Sequence, residues 1–147
     1  MAFVRSGQGG GMTSLKDYYR DKVLNGGLTS ICTLSDATRA KFNEGGVVAD
    51  TTNRTCYLYV DMTILTDRVN PSDWSGLLTV TGMSTNYFPK TSTSSRSTSV
   101  PLITDESSSH ILACVFGVVS SNSRFYASYG ERLYANDHII VYASWTY

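Results

Sequence analysis

Between residues 55 and 64 apolar and polar side chains alternate without interruption. Cys56, Leu58, Val60, Met62 and Ile64 fall on one side, and Tyr57, Tyr59, Asp61 and Thr63 on the other. A period of two sustained over this length predicts a half-buried antiparallel strand. Further strands are predicted at 77–82, 100–104, 111–119, 124–129 and 138–147. Between them lie turn and loop signals: Asn70-Pro71-Ser72-Asp73, a polar low-complexity loop at 91–99, and turns at Asn122-Ser123 and Tyr129-Gly130. This spacing predicts an all-β fold, an antiparallel β-sandwich of jelly-roll type. In the final strand Ile139, Val141, Ala143, Trp145 and Tyr147 share a face, yet Ile140 and Tyr142 make the opposite face apolar as well. A strand apolar on two sides is expected to be covered twice, once by its own core and once by a neighbouring subunit or layer.

The amino-terminal part reads differently. Gly7, Gly9, Gly10 and Gly11 surround Gln8, so residues 1–12 form a flexible Gly-rich tail, with Phe3 and Val4 as apolar anchors for another protein. At 14–24 the period becomes helical: Leu15, Tyr18, Tyr19 and Val23 recur along one side, Ser14 can cap, and Asn25-Gly26-Gly27 stops the helix. Three turns are marginal alone in water, so this helix needs its own sheet or copies of itself as a partner. A second short helix is expected at 35–43, capped by Ser35. The chain thus divides into a tail (1–12), a short helical oligomerisation and linker region (13–45) and a β-sandwich head (46–147).

Composition narrows the chemistry. Twelve basic and twelve acidic residues cancel to a net charge of zero, which leaves no electrostatic footprint for nucleic acid or an anionic membrane surface. No stretch is long and apolar enough to insert in a bilayer as a helix. Cys32, Cys56 and Cys114 are spaced neither for zinc nor as close pairs, and unpaired thiols suit synthesis in a reducing cytoplasm. Two histidines, His110 and His138, limit acid–base work, and Asp137 and His138 point to opposite faces of a strand. No GxSxG, phosphate-binding glycine loop or HExxH is found. The expectation is a non-enzyme with no cofactor and no metal. Ten tyrosines, two tryptophans and hydroxyl-rich loops point instead to ring stacking on a sugar or a subunit. Trp74, Tyr87, Tyr126, Tyr129 and Tyr134, in or near predicted loops, are the stacking candidates, with Arg96 and Asp105 as polar contacts.

The order of features in the carboxyl-terminal two thirds carries a resemblance. A strand at 53–64 is followed by Leu77-Leu78-Thr79-Val80-Thr81-Gly82, then Asn86-Tyr87-Phe88-Pro89. A hydroxyl-rich loop, 111–119, 123–129 and the closing His138-Ile139-Ile140-Val141-Tyr142-Ala143-Ser144-Trp145-Thr146-Tyr147 complete the set. This resembles the head domain of tailed-bacteriophage tail-fibre and receptor-binding proteins. There a strand precedes a Gly-Tyr-Arg-Pro-like turn and the chain ends in a strand closing on an aromatic residue. Asn86-Tyr87-Phe88-Pro89 departs from that turn by replacing its glycine and arginine. The resemblance implies a homotrimer on a virion, made in the bacterial host cytoplasm, that attaches the particle to a host cell-surface saccharide. The tail would then contact other virion proteins through Phe3 and Val4. Leu15, Tyr18, Tyr19, Val23, Ile140 and Tyr142 are the expected subunit contacts. The alternative is a structural virion component, such as a head fibre, capsid decoration or baseplate protein, that contacts only other virion proteins.

Overall fold

The computed structural model describes residues 14–67, 75–88, 97–105, 111–119, 122–128 and 133–147; for 75–76 and for the strands between 97 and 128 it describes strand pairing alone. One helix, α1 (Leu15–Asn25), precedes nine strands: β1 (Thr29–Ser30), β2 (Thr33–Asp36), β3 (Ala40–Asp50), β4 (Thr55–Ile64), β5 (Ser75–Thr81), β6 (Ser97–Asp105), β7 (Ile111–Val119), β8 (Asn122–Ser128) and β9 (His138–Thr146). Every pairing is antiparallel, in the order β1-β3-β4-β9-β6-β7-β8-β5-β2. The all-β class expected from the alternation is therefore present. The strand order begins and ends on the two shortest strands, β1 and β2.

β4 is the spine of the described core. Cys56, Leu58, Val60, Met62 and Ile64 are all buried, as their alternation requires. β3 and β9 flank β4 and add Val47, Ala49, Ile139, Val141, Ala143 and Trp145 to the same cluster. Leu34 of β2 and Leu77, Leu78 and Val80 of β5 join it from the far end of the strand order. Strands from both ends of the strand order thus contribute to one buried cluster.

The second helix expected at 35–43 does not form; 33–36 and 40–50 are strands, joined by a turn at 37–39. Ser35, the expected cap, pairs with Thr79 instead; Asp36 Oδ1 accepts from the Phe42 backbone N–H at 2.7 Å, and Ala37 N–H donates to the Ala40 carbonyl across a tight turn. The ladder offered by β4 overrides a weak local helix preference. Asn43 is the extra residue of a β-bulge between Phe42 and Glu44, and its amide bridges to β4, donating to Asp61 Oδ1 and Thr63 Oγ1. Just beyond it, Gly45 has φ +127°, and a Cβ there would stand 2.1 Å from the Tyr59 carbonyl oxygen. Only glycine fits. Two smaller corrections follow from pairing. Asn122 and Ser123 do not turn, because they pair with Val119 and Val118 at the start of β8. Residues 97–99 leave the expected polar loop, since Ser97, Thr98 and Ser99 pair with Gly117, Phe116 and Val115.

α1 forms where expected, with Ser14 as N-cap accepting from Asp17 N–H. Its partner is its own sheet. Tyr19 packs on Tyr142 and Tyr57 with ring centroids 5.5 and 6.1 Å apart, and its hydroxyl shares a 2.9 Å hydrogen bond with Ser144. Val23 lies over Gly46, which has no side chain to obstruct it. Arg20 forks onto Glu44 through two bonds of 2.6 and 3.0 Å, and Tyr59 donates to the same carboxylate. No residue of α1 is itself fully buried, yet Tyr59 beneath it is 2% exposed. The outer face of β9 that the sequence offered to a sister copy is thus partly covered within one chain, and Ile140 is buried there.

Candidate ligand-binding site

Of the seven ligand candidates read from the sequence, the structure describes the side chains of two. Trp74, Arg96 and Tyr129 lie outside the described residues, as do the anchors Phe3 and Val4. Asp105 closes β6 in register with Ile139, and Tyr126 lies within β8 opposite Val115, so neither belongs to a loop. Tyr87 and Tyr134 remain, at opposite ends of the β4–β9 pair. Tyr87 sits beside Cys56 and Trp145, whereas Tyr134 belongs to the turn joined to Ile64 through Asn136 and Asp137. Nine steps along β4 separate these ends, about 30 Å at the rise of a strand. One saccharide unit cannot touch both.

Tyr87 is held tightly. It ends a 3₁₀ turn (Thr85–Tyr87) capped by Ser84. Its carbonyl accepts from Trp145 Nε1 at 2.6 Å and from the Cys56 thiol at 3.7 Å. Its ring meets Tyr147 edge to face at 5.0 Å between centroids, a favoured aromatic geometry. Both rings rest half-buried against the core. The opposite neighbour of Tyr147 is Arg54, whose guanidinium carbon lies 5.4 Å from the Tyr147 ring centroid. Arg54 Nε donates to the Tyr147 carbonyl oxygen at 3.1 Å, and Tyr147 N–H donates back to the Arg54 carbonyl.

Arg54 closes the loop 51–54 between β3 and β4, and its φ of +54° is one that L residues other than Asn and Gly seldom adopt. The rest of that loop is tied to Asp50, whose Oδ1 accepts from the Thr52 and Asn53 backbone N–H groups and whose Oδ2 accepts from the Asn53 amide. These bonds hold the Asp50 carboxyl below its ordinary range, with the Asn53 amide first among them. Removal of ring surface from water, chiefly, pushes the Tyr147 phenol upward, so it stays a hydroxyl at neutral pH. The arrangement sets the Tyr147 ring against both the Tyr87 ring and the Arg54 guanidinium, beside the turn at 51–54 that carries Thr51 and Thr52.

A second polar cluster lies on the outer face of the sheet. His138 Nε2 and Asp61 Oδ1 are 2.6 Å apart, and Asn43 donates to the same oxygen at 2.8 Å. His138 is thus joined to a carboxylate across the strands rather than to its neighbour Asp137, which accepts from Tyr134 N–H. An imidazole–carboxylate pair orients a base, but catalysis also needs a nucleophile aligned with it. The described residues show instead a cross-strand tie around the bulge. Burial pushes the Cys32 and Cys56 thiols up to about 12, which makes both poor nucleophiles. Comparison of the chain with family models, with curated proteins and with solved structures returned no match.

Proposed function

We propose that the chain is a non-enzymatic virion protein of the fibre or receptor-binding type, a trimeric β-sandwich head that attaches the particle to a host-surface saccharide. The observation that carries this reading is the Arg54–Tyr147–Tyr87 cluster. Two rings and a cation stand together at one end of the sheet beside a hydroxyl-rich turn. Flat apolar faces with polar edges suit the alternating C–H and O–H surfaces of a pyranose. The sandwich is supported by the core, where Leu34, Leu77 and Val80 meet Val47, Leu58 and Val141 from the other end of the strand order. Three copies on one particle would add avidity where each site alone is weak.

The test is a glycan array probed with the intact protein, compared with Tyr87→Ala and Tyr147→Ala. The expected result is binding to a subset of glycans, lost in both variants while the fold survives. An intact protein that binds no glycan rules out the saccharide reading.

A second reading is favoured by a different observation. Leu65 and Tyr134 are 47% and 52% exposed at the end of β4 remote from Arg54. Exposed apolar groups at one end suit a structural virion component that contacts other virion proteins. Deleting residues 1–12 separates the two. Lost incorporation with retained glycan binding supports attachment, and lost incorporation in a protein that never binds glycan supports the structural role.

A further inference from the structure

Asn25 is the last residue of α1, and Gly26 follows it as the C-cap. It is the single Asn-Gly step in the chain, and both residues are exposed. Such a step carries its own chemistry. The backbone nitrogen after an asparagine can attack the side-chain Cγ, closing a five-membered succinimide and expelling the amide nitrogen as ammonia. Water then opens the ring to aspartate or isoaspartate. A side chain on the following residue hinders the attack, and glycine has none.

While the last turn of α1 is formed, both reacting groups are engaged elsewhere. Asn25 Nδ2 donates to Asp21 Oδ1 at 3.0 Å, one turn back. Gly26 keeps a right-handed helical backbone, φ −76° and ψ −1°. It lies so close to the Lys22 carbonyl that a Cβ there would stand 2.3 Å from that oxygen. Ring closure therefore waits for this turn to open. The opening is within easy reach, because α1 has eleven residues, none of them fully buried, and a helix of that length is marginal in water.

We propose that Asn25 is a site of spontaneous deamidation, gated by the opening of α1, whose product loosens the helix from the Tyr57–Tyr142 face on which Tyr19 packs. Water is the only co-reactant. The product replaces an amide donor by a carboxylate, which cannot donate to Asp21 and repels it across one turn. It also places a negative charge at the helix end that already carries the negative pole of the backbone dipoles. Isoaspartate adds a further carbon to the backbone at the cap. Each effect favours the open helix, so α1 docks less firmly as the protein ages.

Peptide mapping by mass spectrometry tests this on the full chain, aged at mildly alkaline pH and sampled over time. Tryptic cleavage after Lys22 and Arg39 releases a peptide, Val23 to Arg39, in which Asn25 is the only asparagine. That peptide is expected to gain the mass of NH2 replaced by OH, in separable aspartate and isoaspartate forms, ahead of every other asparagine-bearing peptide. Tyr19→Ala, which frees α1, should speed the conversion by about tenfold or more. Asn25→Gln keeps an amide and should not convert on the same timescale, since its longer side chain closes a six-membered ring far more slowly. Asn25→Asp stands in for the aspartate form: the protected amides of α1 should exchange about threefold faster while those of β4 and β9 hold. The proposal is overturned if the Val23 to Arg39 peptide converts no faster than the others, if Tyr19→Ala leaves its rate unchanged, or if Asn25→Asp leaves α1 protection as it was.

Discussion

Tyr19 joins α1 to the sheet more than any other residue, and its removal can be worked through in steps. Tyr19→Phe deletes the hydroxyl that bonds Ser144 in a half-buried setting, a loss of about 1 kcal/mol. Tyr19→Ala also removes ring contacts to Tyr57 and Tyr142, each worth about 0.5–1.5 kcal/mol. The alanine variant therefore loses about 3 kcal/mol of docking. An eleven-residue helix does not hold itself together in water, so a loss of this size falls on the helix before it falls on the sheet. Native-state amide exchange reads this directly. In Tyr19→Phe the protected amides of α1 should exchange about fivefold faster, and in Tyr19→Ala about a hundredfold faster, at about 1.4 kcal/mol per tenfold. Amides of β4 and β9 should change far less. Unchanged protection of α1 in Tyr19→Ala would refute the reasoning, and so would equal losses in helix and sheet.

Other expectations come from the same geometry. Gly45→Ala places a Cβ against the Tyr59 carbonyl at a φ of +127°, which should cost about 3 kcal/mol and lower Tm by roughly 6–12 °C; a fall under about 3 °C would contradict it. The Arg20 guanidinium holds the Glu44 carboxyl below its ordinary 4.5. Its folded-state value is depressed, so the contribution is present above the unfolded value and is lost as pH falls through the folded one. With both partners partly exposed the effect stays below about 1 kcal/mol; urea unfolding at pH 6 and pH 2.5 should show a smaller acid loss in Glu44→Gln. Trp145→Phe removes the donor to the Tyr87 carbonyl and should cost about 1–3 kcal/mol together with the ring order at Tyr87, checked by thermal unfolding and by weakened glycan binding. Replacing Tyr19 and Val23 together by Asp should release α1. An unchanged sedimentation profile for that variant would remove the α1 face from any subunit contact.

The sequence was most readable where a period ran unbroken. β4 at 55–64 was legible to the residue because alternation over that length leaves no other register, and β7 at 111–119 because it is an unbroken apolar run. α1 was legible from Ser14 and the spacing of Tyr19 and Val23, although its partner was not. β1, β2 and β3 were not legible as strands: two are short, and the third carries a bulge at Asn43 and a strained Gly45 that interrupt its pattern. At the candidate site Tyr87 was singled out, yet Arg54 and Tyr147 were not, since 93 positions separate two residues that touch. The strand read from the sequence began at 53 and so took in Arg54, and nothing in the pattern showed the turn at 51–54 or the backbone angle of Arg54. The Asp61–His138 tie was hidden for the same reason: alternation places each residue on a face but does not say which strands become neighbours.

The two ends of the strand order deserve a practical reading. β1 has two residues and β2 has four, so neither presents a long row of open N–H and C=O groups on which a foreign strand could grow. Long bare margins recruit other chains and seed fibrils, whereas short ones offer too few hydrogen bonds to hold a newcomer. The shelter is uneven: among the described residues β1 pairs with only Val48 and Ala49 of the eleven-residue β3, so residues 40–46 of that strand are the margin on which a newcomer would be expected to add.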